Sequence, residues 1–271
     1  MPVDRNAAWR VLGRSVRGAS HVRSGLPNQD AIGWRENADC AGGVLLAVAD
    51  GHGSAKCFRS DYGSRFAIEA AMGLMAAPHI PDAARLPAEL VCRWRRSVQN
   101  HLAEEPIASV TLKQLERKLG KDARRAVERD PVLAYGSTLL AAMVSDTSVC
   151  YVQLGDGDIL TVSEAGEVER QWPREEEQIG DETASLATRD AAREVRIRVT
   201  EAAPAMVLLA TDGYANSFRE DGGFLAVGPD LLRMIHTEGI APIDENLETW
   251  LREASELGSG DDITVGLLWR M

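Results

Sequence analysis

The sequence has few of the residues that build thiolate metal sites or disulfide frameworks. It contains only four cysteines, Cys40, Cys57, Cys92 and Cys150, which lie far apart and form no CxxC pair. Cys57 and Cys150 fall in apolar helical and strand patterns, so both are expected to be core thiols. This usage indicates a reduced, cytoplasmic protein.

Long apolar segments are also missing. The longest apolar stretch, Ala202 to Ala210, is far shorter than the roughly 20 residues that a membrane-spanning helix needs. The first residues do not show the basic-then-apolar order of a secretory leader. These features predict a protein without a membrane partner and agree with a cytoplasmic location.

Basic residues are outnumbered by acidic ones. Thirty lysines and arginines face 41 aspartates and glutamates, for a formal net charge of -11. This balance argues against nucleic acid or an anionic membrane as the main binding partner. A phosphate-ester substrate would also be repelled unless bound cations neutralised the charge locally.

Hydrophobic periodicity predicts alternating groups of strands and helices. Strands are expected at 9–16, 31–35, 44–49, 138–144, 149–154, 159–163, 195–199, 206–210 and 263–269. Five helices are expected. The first follows an N-cap at Ser54, the second covers 86–105, and the third runs from a capping box at Thr111 to Asp130. The fourth has Pro229 in its first turn, and the fifth ends at Gly258. The acidic stretch 164–194 is predicted to be a hairpin followed by a flap. No repeat or linker interrupts the chain, so residues 1–271 are predicted to form one α+β domain.

Four apolar runs end or begin beside an aspartate that glycine or another aspartate follows. These pairs are Asp50-Gly51, Asp156-Gly157, Asp212-Gly213 and Asp261-Asp262. Several carboxylates at one end of a sheet would repel one another unless a positive charge lay among them. Oxygen ligands without a thiolate or imidazole cluster suit hard cations such as magnesium or manganese. The sequence therefore predicts a hydrolytic metal centre.

Each pair alone also has a simpler explanation. Asp156-Gly157 lies between two strands, and Asp-Gly is the preferred two-residue hairpin turn. Asp212 precedes a helix-like segment, as an ordinary N-cap would. Asp261 and Asp262 follow a glycine-rich loop and are consistent with solvated loop residues. Asp50 differs, because no hairpin partner is available for the segment that follows it.

The order and context of these pairs resemble the metal-dependent protein phosphatase family, type 2C (PPM), in its bacterial branch. The similarity extends over nearly the whole chain as six short motifs in the family's order. They are Asn28-Gln29-Asp30, Asp50-Gly51-His52-Gly53, Gly136-Ser137-Thr138-Leu139, Gly155-Asp156-Gly157, Thr211-Asp212-Gly213-Tyr214 and Asp261-Asp262-Ile263-Thr264-Val265. The DGHG motif is the most specific of them.

The resemblance implies an α-β-β-α sandwich of two mainly antiparallel sheets flanked by helices, with two divalent cations, Mn²⁺ or Mg²⁺, as cofactors. Asp50 would bridge both cations, and the backbone carbonyl of Gly51 would bind one of them. Asp212 and Asp261 would complete the other metal site. Two cations about 4 Å apart can activate a shared water for in-line attack on phosphorus.

Other matched positions have supporting roles in this resemblance. Asp30 would lie in the coordination shell or directly behind it. Asp156 occupies the position of a carboxylate for a weaker third metal. Asp262 replaces the asparagine that is usual in the closing motif and is expected to be a supporting residue. His52 matches the family's proposed general acid, which would protonate the very basic serine or threonine alkoxide.

One departure from the family pattern affects the substrate more than the metals. Many members carry an arginine five residues before the first motif aspartate, where it clamps the phosphate, but position 25 here is Gly25. Arg23 and His21 are the candidates for taking over this contact, although Arg23 is also consistent with a solvated residue.

The predicted function is hydrolysis of phosphoserine or phosphothreonine in proteins by a metal-activated water. A phosphoprotein is the expected substrate, and a cognate serine/threonine kinase is a second expected partner. Two alternatives remain open at this point. One is a catalytically silent, phosphatase-like binding module, and the other is a phosphatase of a small phosphorylated metabolite.

Overall fold

The computed structural model describes residues 9–37, 43–74, 82–145, 148–174, 184–201 and 203–270. Its strands are β1 (Trp9–Val16), β2 (Ala31–Asn37), β3 (Gly43–Ala49), β4 (Leu139–Val144), β5 (Val149–Leu154), β6 (Asp158–Val162), β7 (Val168–Arg170), β8 (Arg196–Thr200), β9 (Met206–Ala210) and β10 (Ile263–Arg270). Its helices are α1 (Ala19–Ser24), α2 (Ser60–Leu74), α3 (Leu86–Glu104), α4 (Ser109–Leu119), α5 (Lys121–Arg129), α6 (Ala191–Glu194), α7 (Asp212–Ala215), α8 (Asp221–Glu238) and α9 (Ala241–Leu257).

The strands form two antiparallel sheets of five strands each. The first sheet has the order β1-β10-β9-β6-β7, and the second has the order β2-β3-β4-β5-β8. Helices α8 and α9 pack on the first sheet, while α2 and α3 pack on the second. The predicted α+β sandwich, with two sheets between helical layers, is confirmed.

Strand β3 shows how the sequence builds these layers. All seven of its residues are buried. Leu46 and Val48 pack between the sheets with Leu209 of the first sheet. Leu45 and Ala47 belong instead to the cluster that includes α2 and α3. Because successive side chains of a strand point to opposite faces, a strand covered on both faces needs a continuous apolar run.

Two predicted helix starts are wrong. The segment after Ser54 forms turns, and α2 begins only at Ser60. The backbone N–H of Arg59 donates to Ala134 O at 2.8 Å. This bond attaches the segment before α2 to residues much later in the sequence, so the segment does not join the helix. Pro229 lies inside α8 rather than in its first turn, because packing of buried residues on both sides of the proline holds the helix together.

The helix predicted from the capping box at Thr111 is also wrong in its extent. It begins at Ser109, and it is interrupted at Gly120, where φ is 87°, so that α4 and α5 are separate helices. A left-handed backbone conformation of this kind favours glycine.

The predicted flap at 164–194 is described only in part. Strands β6 and β7 form the expected hairpin, and the short helix α6 ends the stretch. Residues 175–183 lie outside the described part of the chain. Among the helices that are described, none has the length and apolar character needed to cross a membrane.

Candidate metal centre

The antiparallel registers place several strand ends at one edge of the sandwich. In the second sheet, the first residue of β2 pairs with the last residue of β3, so Asp30 and Asp50 flank the same edge. In the first sheet, the last residue of β9 pairs with the first residue of β6. Asp212, which follows β9, therefore lies beside the turn before β6 that carries Asp156. Distant parts of the chain therefore deliver carboxylates to one place.

Three of the predicted ligands form a compact group, called the aspartate cluster below. Asp50, Asp156 and Asp212 each offer a carboxylate oxygen, and these oxygens all lie within 4.8 Å of one another. Asp50 and Asp212 are partly buried, whereas Asp156 is exposed. The carboxyl groups of Asp50 and Asp212 are close enough that each affects the pKa of the other.

The simple hairpin explanation for Asp156-Gly157 is wrong. Strand β5 pairs with β4 and β8 in the second sheet, whereas β6 pairs with β7 and β9 in the first. The Asp156 turn thus carries the chain from one sheet to the other. Gly155 has a φ of 103°, and a Cβ at Gly157 would lie 2.7 Å from Ala210 O. Two glycines around Asp156 are needed for this crossing.

The carboxyl groups at this edge lie where a negative charge is disfavoured. Burial, followed by the charges of Asp30 and Asp212, raises the pKa of Asp50 well above its usual value. Burial and then the charge of Asp156 raise the pKa of Asp212 to about 6. The pKa of Asp30 is also well above its usual value, mainly because of burial.

This donor set fits hard divalent cations. It consists of oxygens, it is partly buried, and the charge of Asp156 raises the pKa of both Asp50 and Asp212. A divalent cation bound among them would relieve the repulsion and replace the lost hydration of the carboxylates. Deprotonation of the ligands would then accompany metal binding.

The Asp50 turn is held by the segment that resembles the family's GST motif. The backbone N–H of Asp50 donates to Thr138 Oγ1 at 3.0 Å, and the backbone N–H of Thr138 donates to Asp50 O at 2.8 Å. A Cβ at Gly51 would lie 2.6 Å from the backbone oxygens of Gln29 and Ser60. Only glycine fits at position 51, where a backbone carbonyl is the expected ligand.

His52 follows this turn and is anchored through its backbone. Its N–H donates to Gly136 O at 3.1 Å, and its ring lies close against Gly136, since a Cβ there would be 2.7 Å from His52 Cδ2. The His52 residue is partly buried. Its role as a proton donor remains a prediction.

The other predicted acidic residues lie around the aspartate cluster and differ in exposure. Asp30 is buried and accepts a hydrogen bond of 2.8 Å from Thr211 Oγ1. The Asp261 side chain is 52% exposed, and its charge contributes to the raised pKa of Asp212. Asp262 is buried and accepts hydrogen bonds of 2.6 Å from two backbone N–H groups. The supporting position of Asp262 contrasts with the open position of Asp261.

The two candidates for phosphate contact lie on α1 in different environments. His21 is buried, with Nδ1 2.9 Å from Asp262 Oδ2, whereas Arg23 is exposed. The sequence alone did not reveal the contact between His21 and Asp262, because 241 positions separate them. The supporting hydroxyl of Thr211 was also missed, although it directly precedes Asp212. Phosphate binding by His21 or Arg23 remains a prediction.

Comparisons with known proteins identify the family and the fold of this chain. A family model described as "Protein phosphatase 2C" matches residues 17–252. No curated protein matches the chain. Solved structures with the same fold include several bacterial serine/threonine phosphatases.

Three of these structures illustrate the similarity. The catalytic domain of the serine threonine protein phosphatase PstP, in complex with 2 manganese ions, is 19% identical, with a TM-score of 0.59 and coverage of 98% of this chain and 99% of that chain. PppA of Pseudomonas aeruginosa is 19% identical, with a TM-score of 0.58 and coverage of 97% and 98%. The S. agalactiae serine/threonine phosphatase is 17% identical, with a TM-score of 0.60 and coverage of 96% and 99%. At these identities, the structural comparison supports the shared fold alone.

Proposed function

Because the chain belongs to the protein phosphatase 2C family, and is therefore a metal-dependent protein phosphatase, we propose that it hydrolyses phosphoserine and phosphothreonine in proteins with two Mn²⁺ or Mg²⁺ ions. The observation that carries this proposal is the aspartate cluster, whose three carboxylate oxygens lie within 4.8 Å of one another. The negative net charge of the chain is compatible with an anionic substrate once cations occupy this edge.

The proposed ligand roles are those that the family resemblance implies for the matching positions. Asp50 would hold both cations, and the carbonyl of Gly51 would bind one of them. Asp212 and Asp261 would hold the second cation, while the exposed Asp156 would bind a weaker third. When bound, the cations lower the pKa of a nucleophilic water and neutralise the phosphoryl oxygens.

The remaining residues of the site orient these ligands and handle protons. Asp30, held by Thr211, supports the ligand set from its buried side. Thr138 fixes the backbone of Asp50. His52 donates a proton to the leaving alkoxide, since a serine or threonine alkoxide is a poor leaving group without one. The anchored backbone of His52 keeps the ring next to the Asp50 turn.

Two other functions compete with this proposal. A catalytically silent module would bind metal or phosphoprotein without turnover, but the presence of Asp50, His52, Asp212 and Asp261 argues against a decayed site. A phosphatase of a small phosphorylated metabolite is compatible with the same cluster, because Gly25 stands where many relatives carry the clamping arginine.

Hydrolysis of p-nitrophenyl phosphate with Mn²⁺ tests the proposal. We expect turnover that requires the metal and that Asp50→Ala abolishes. Asp230→Ala, which removes an exposed helical aspartate, is the matched control and should leave the rate unchanged. Metal binding without turnover by the wild-type protein would favour the silent module.

A substrate panel separates the two catalytic functions. Phosphoserine and phosphothreonine peptides should be hydrolysed with higher kcat/KM than small phosphorylated metabolites. The reverse order would identify a metabolite phosphatase. We further propose that residues 1–271 form one phosphatase domain that acts in the cytoplasm on a phosphoprotein made by a serine/threonine kinase.

A further inference from the structure

The turn that carries Asp156 is held by a buried amide from the strand that precedes it. Gln153 lies in β5, where every residue is buried, and is only 4% exposed. Its Nε2 donates to Gly157 O at 2.8 Å and to Gly155 O at 3.3 Å. These two carbonyls stand on either side of Asp156, so a single side chain binds the backbone both before and after the aspartate.

The orientation of the Gln153 amide is fixed by these partners, because a carbonyl oxygen can only accept a hydrogen bond. With the amide turned over, Oε1 would face the two carbonyl oxygens and both bonds would be lost. Oε1 is buried as well, and within the described residues it has no hydrogen-bond partner. The bonds to the turn are therefore what compensates for burying this amide in an apolar strand.

The Asp156 turn needs such support because of its composition and its course. Asp156 is exposed and lies between two glycines, the residues with the largest backbone freedom. Strands β5 and β6 belong to different sheets, so a hairpin ladder between them does not fix the turn. Arg196, the partner of Gln153 in β8, adds a bond to Gly155 O at 3.3 Å. Gln153 alone contributes a bond on each side of the aspartate among the hydrogen bonds of the described side chains.

From these contacts we propose that Gln153 is a positioning residue for Asp156: its two bonds to the turn hold the Asp156 carboxylate in the aspartate cluster. The proposal rests on the proposed metal-dependent function, in which Asp156 binds a weaker third cation. Gln153 acts through Asp156 and is not itself a ligand, because the NH₂ group that faces the turn is a hydrogen-bond donor. Such a residue limits the positions that a ligand can adopt before the cation binds.

Two matched substitutions of buried glutamines test this role. Gln153→Met nearly keeps the length of the side chain and removes both donors. Gln171→Met is the control, since Gln171 is also 4% exposed, but its Nε2 donates to Thr161 Oγ1 at 3.1 Å instead of to the Asp156 turn. Both variants lose a buried amide, so urea denaturation should show a similar loss of stability in the two.

Calorimetric titration of the metal-free protein with Mn²⁺ measures the effect on the site. Contacts that orient a metal ligand are worth about 10–100-fold in metal affinity. We expect Gln153→Met to weaken the weakest Mn²⁺-binding step by about 10-fold or more, and Gln171→Met to bind Mn²⁺ as the wild type does. Gln153→Asn, which retains a shorter amide donor, should bind with an affinity between those of Gln153→Met and wild type.

A double variant shows whether Gln153 acts through Asp156. Asp156→Asn should itself weaken the same binding step, because it removes the proposed ligand. Adding Gln153→Met to Asp156→Asn should then cause no further change in Mn²⁺ binding, since the effects of residues in one contact network are not additive. A purely structural role would not produce this dependence, because the stability lost with the amide would be lost in either background.

Several results would overturn the role of Gln153. Equal Mn²⁺ affinity of folded Gln153→Met and wild type would exclude it, and if Gln153→Met does not fold, wild-type affinity of Gln153→Asn would do the same. A further loss of affinity in the double variant would mean that Gln153 affects metal binding without Asp156. If neither Gln153 variant folds while Gln171→Met does, the two bonds serve the fold and not the site.

The proposed function fails in a different way. Failure of the wild-type protein to bind Mn²⁺, or an Asp156→Asn variant that binds Mn²⁺ as the wild type does, would refute the proposed ligand set. Neither result depends on a substitution of Gln153, so the two failures are distinguishable.

Discussion

Two neighbouring groups of aspartates in this protein differ in how their charges are balanced. In the aspartate cluster, the charges that act on Asp50 and Asp212 are those of other aspartates. The nearby Asp158, at the start of β6, is 2% exposed and lies 2.6 Å from Arg170 Nε and 2.9 Å from a terminal nitrogen of Arg174. Similar side chains at the same edge of the sandwich thus have opposite electrostatic surroundings.

The difference separates structural carboxylates from ligands. Burial raises the pKa of Asp158, while Arg174 and Arg170 oppose this shift. Arg170 also pairs with Asp221 at the start of α8 and lowers the pKa of Asp221. Where a carboxylate supports the fold, arginine side chains of the same protein balance its charge. Where the charges that act on a partly buried carboxylate are those of other carboxylates, a cation from solution is the expected partner.

The largest expected effect comes from Asp212→Asn. Loss of a proposed ligand should reduce Mn²⁺-dependent hydrolysis of a phosphopeptide by more than about 100-fold, beyond the range for residues that merely hold ligands. The matched variant Asp158→Asn should retain measurable turnover under conditions where the protein is folded. Steady-state kinetics at saturating Mn²⁺ make this comparison. Equal activity of Asp212→Asn and wild type would contradict the proposed role of Asp212 as a metal ligand.

The free energy of unfolding should distinguish the same two substitutions in the opposite sense from activity: Asp158→Asn should lower it, whereas Asp212→Asn should not. Asp158→Asn leaves Arg170 and Arg174 without their shared carboxylate, and we expect the free energy of unfolding to fall by about 3 kcal/mol. Urea denaturation followed by circular dichroism measures this loss. If the midpoint stays at the wild-type value, the two arginines do not need Asp158 as a counter-ion.

Metal addition should stabilise the wild-type protein more than a ligand variant. With free Mn²⁺ at about 100 times its Kd, the free energy of unfolding should rise by about 2.7 kcal/mol. Asp50→Asn should lose most of this gain, since it removes the proposed bridging ligand. Thermal melts with and without EDTA provide the measurement. An identical increase in Tm for both proteins would place the stabilising metal elsewhere.

In the absence of metal, Asp212→Asn should stabilise the folded protein. Because the pKa of Asp212 is raised to about 6, its ionised form destabilises the folded state, and the asparagine variant should be more stable at pH 8 by up to about 3 kcal/mol. The advantage should be constant above pH 6 and should diminish as the pH falls towards the ordinary pKa, where wild-type Asp212 is protonated in both states. Urea denaturation in EDTA between pH 4.5 and 8 tests this, and an advantage that grows at low pH would contradict it.

Much of the fold was predictable because its local patterns are strong. The continuous apolar run of β3 and the periodic face of α3 both identified their elements. Helix boundaries were less predictable. Ser54 and Thr111 have the chemistry of capping residues, but tertiary hydrogen bonds and the Gly120 conformation decided where α2 and α4 begin and end.

The candidate site could be predicted from the sequence at the level of residue type and motif, and the roles of its residues stay predictions. The family resemblance from six short motifs is confirmed by the family match over residues 17–252. The sequence could not show which aspartates would meet each other and which would meet arginine. Asp156 and Asp158 are two residues apart, yet only the fold reveals that Asp158 is paired with Arg170 and Arg174.

The amino-acid sequence by itself determined that this protein has buried strands ending in carboxylates, in the order of the type 2C phosphatases, because strand periodicity and short motifs are local properties of the chain. Only the tertiary structure decided that the carboxylates of Asp50, Asp156 and Asp212 lie close together and that His21 is hydrogen-bonded to Asp262. These contacts depend on the register of strands from two sheets, and register arises from packing between segments far apart in the chain.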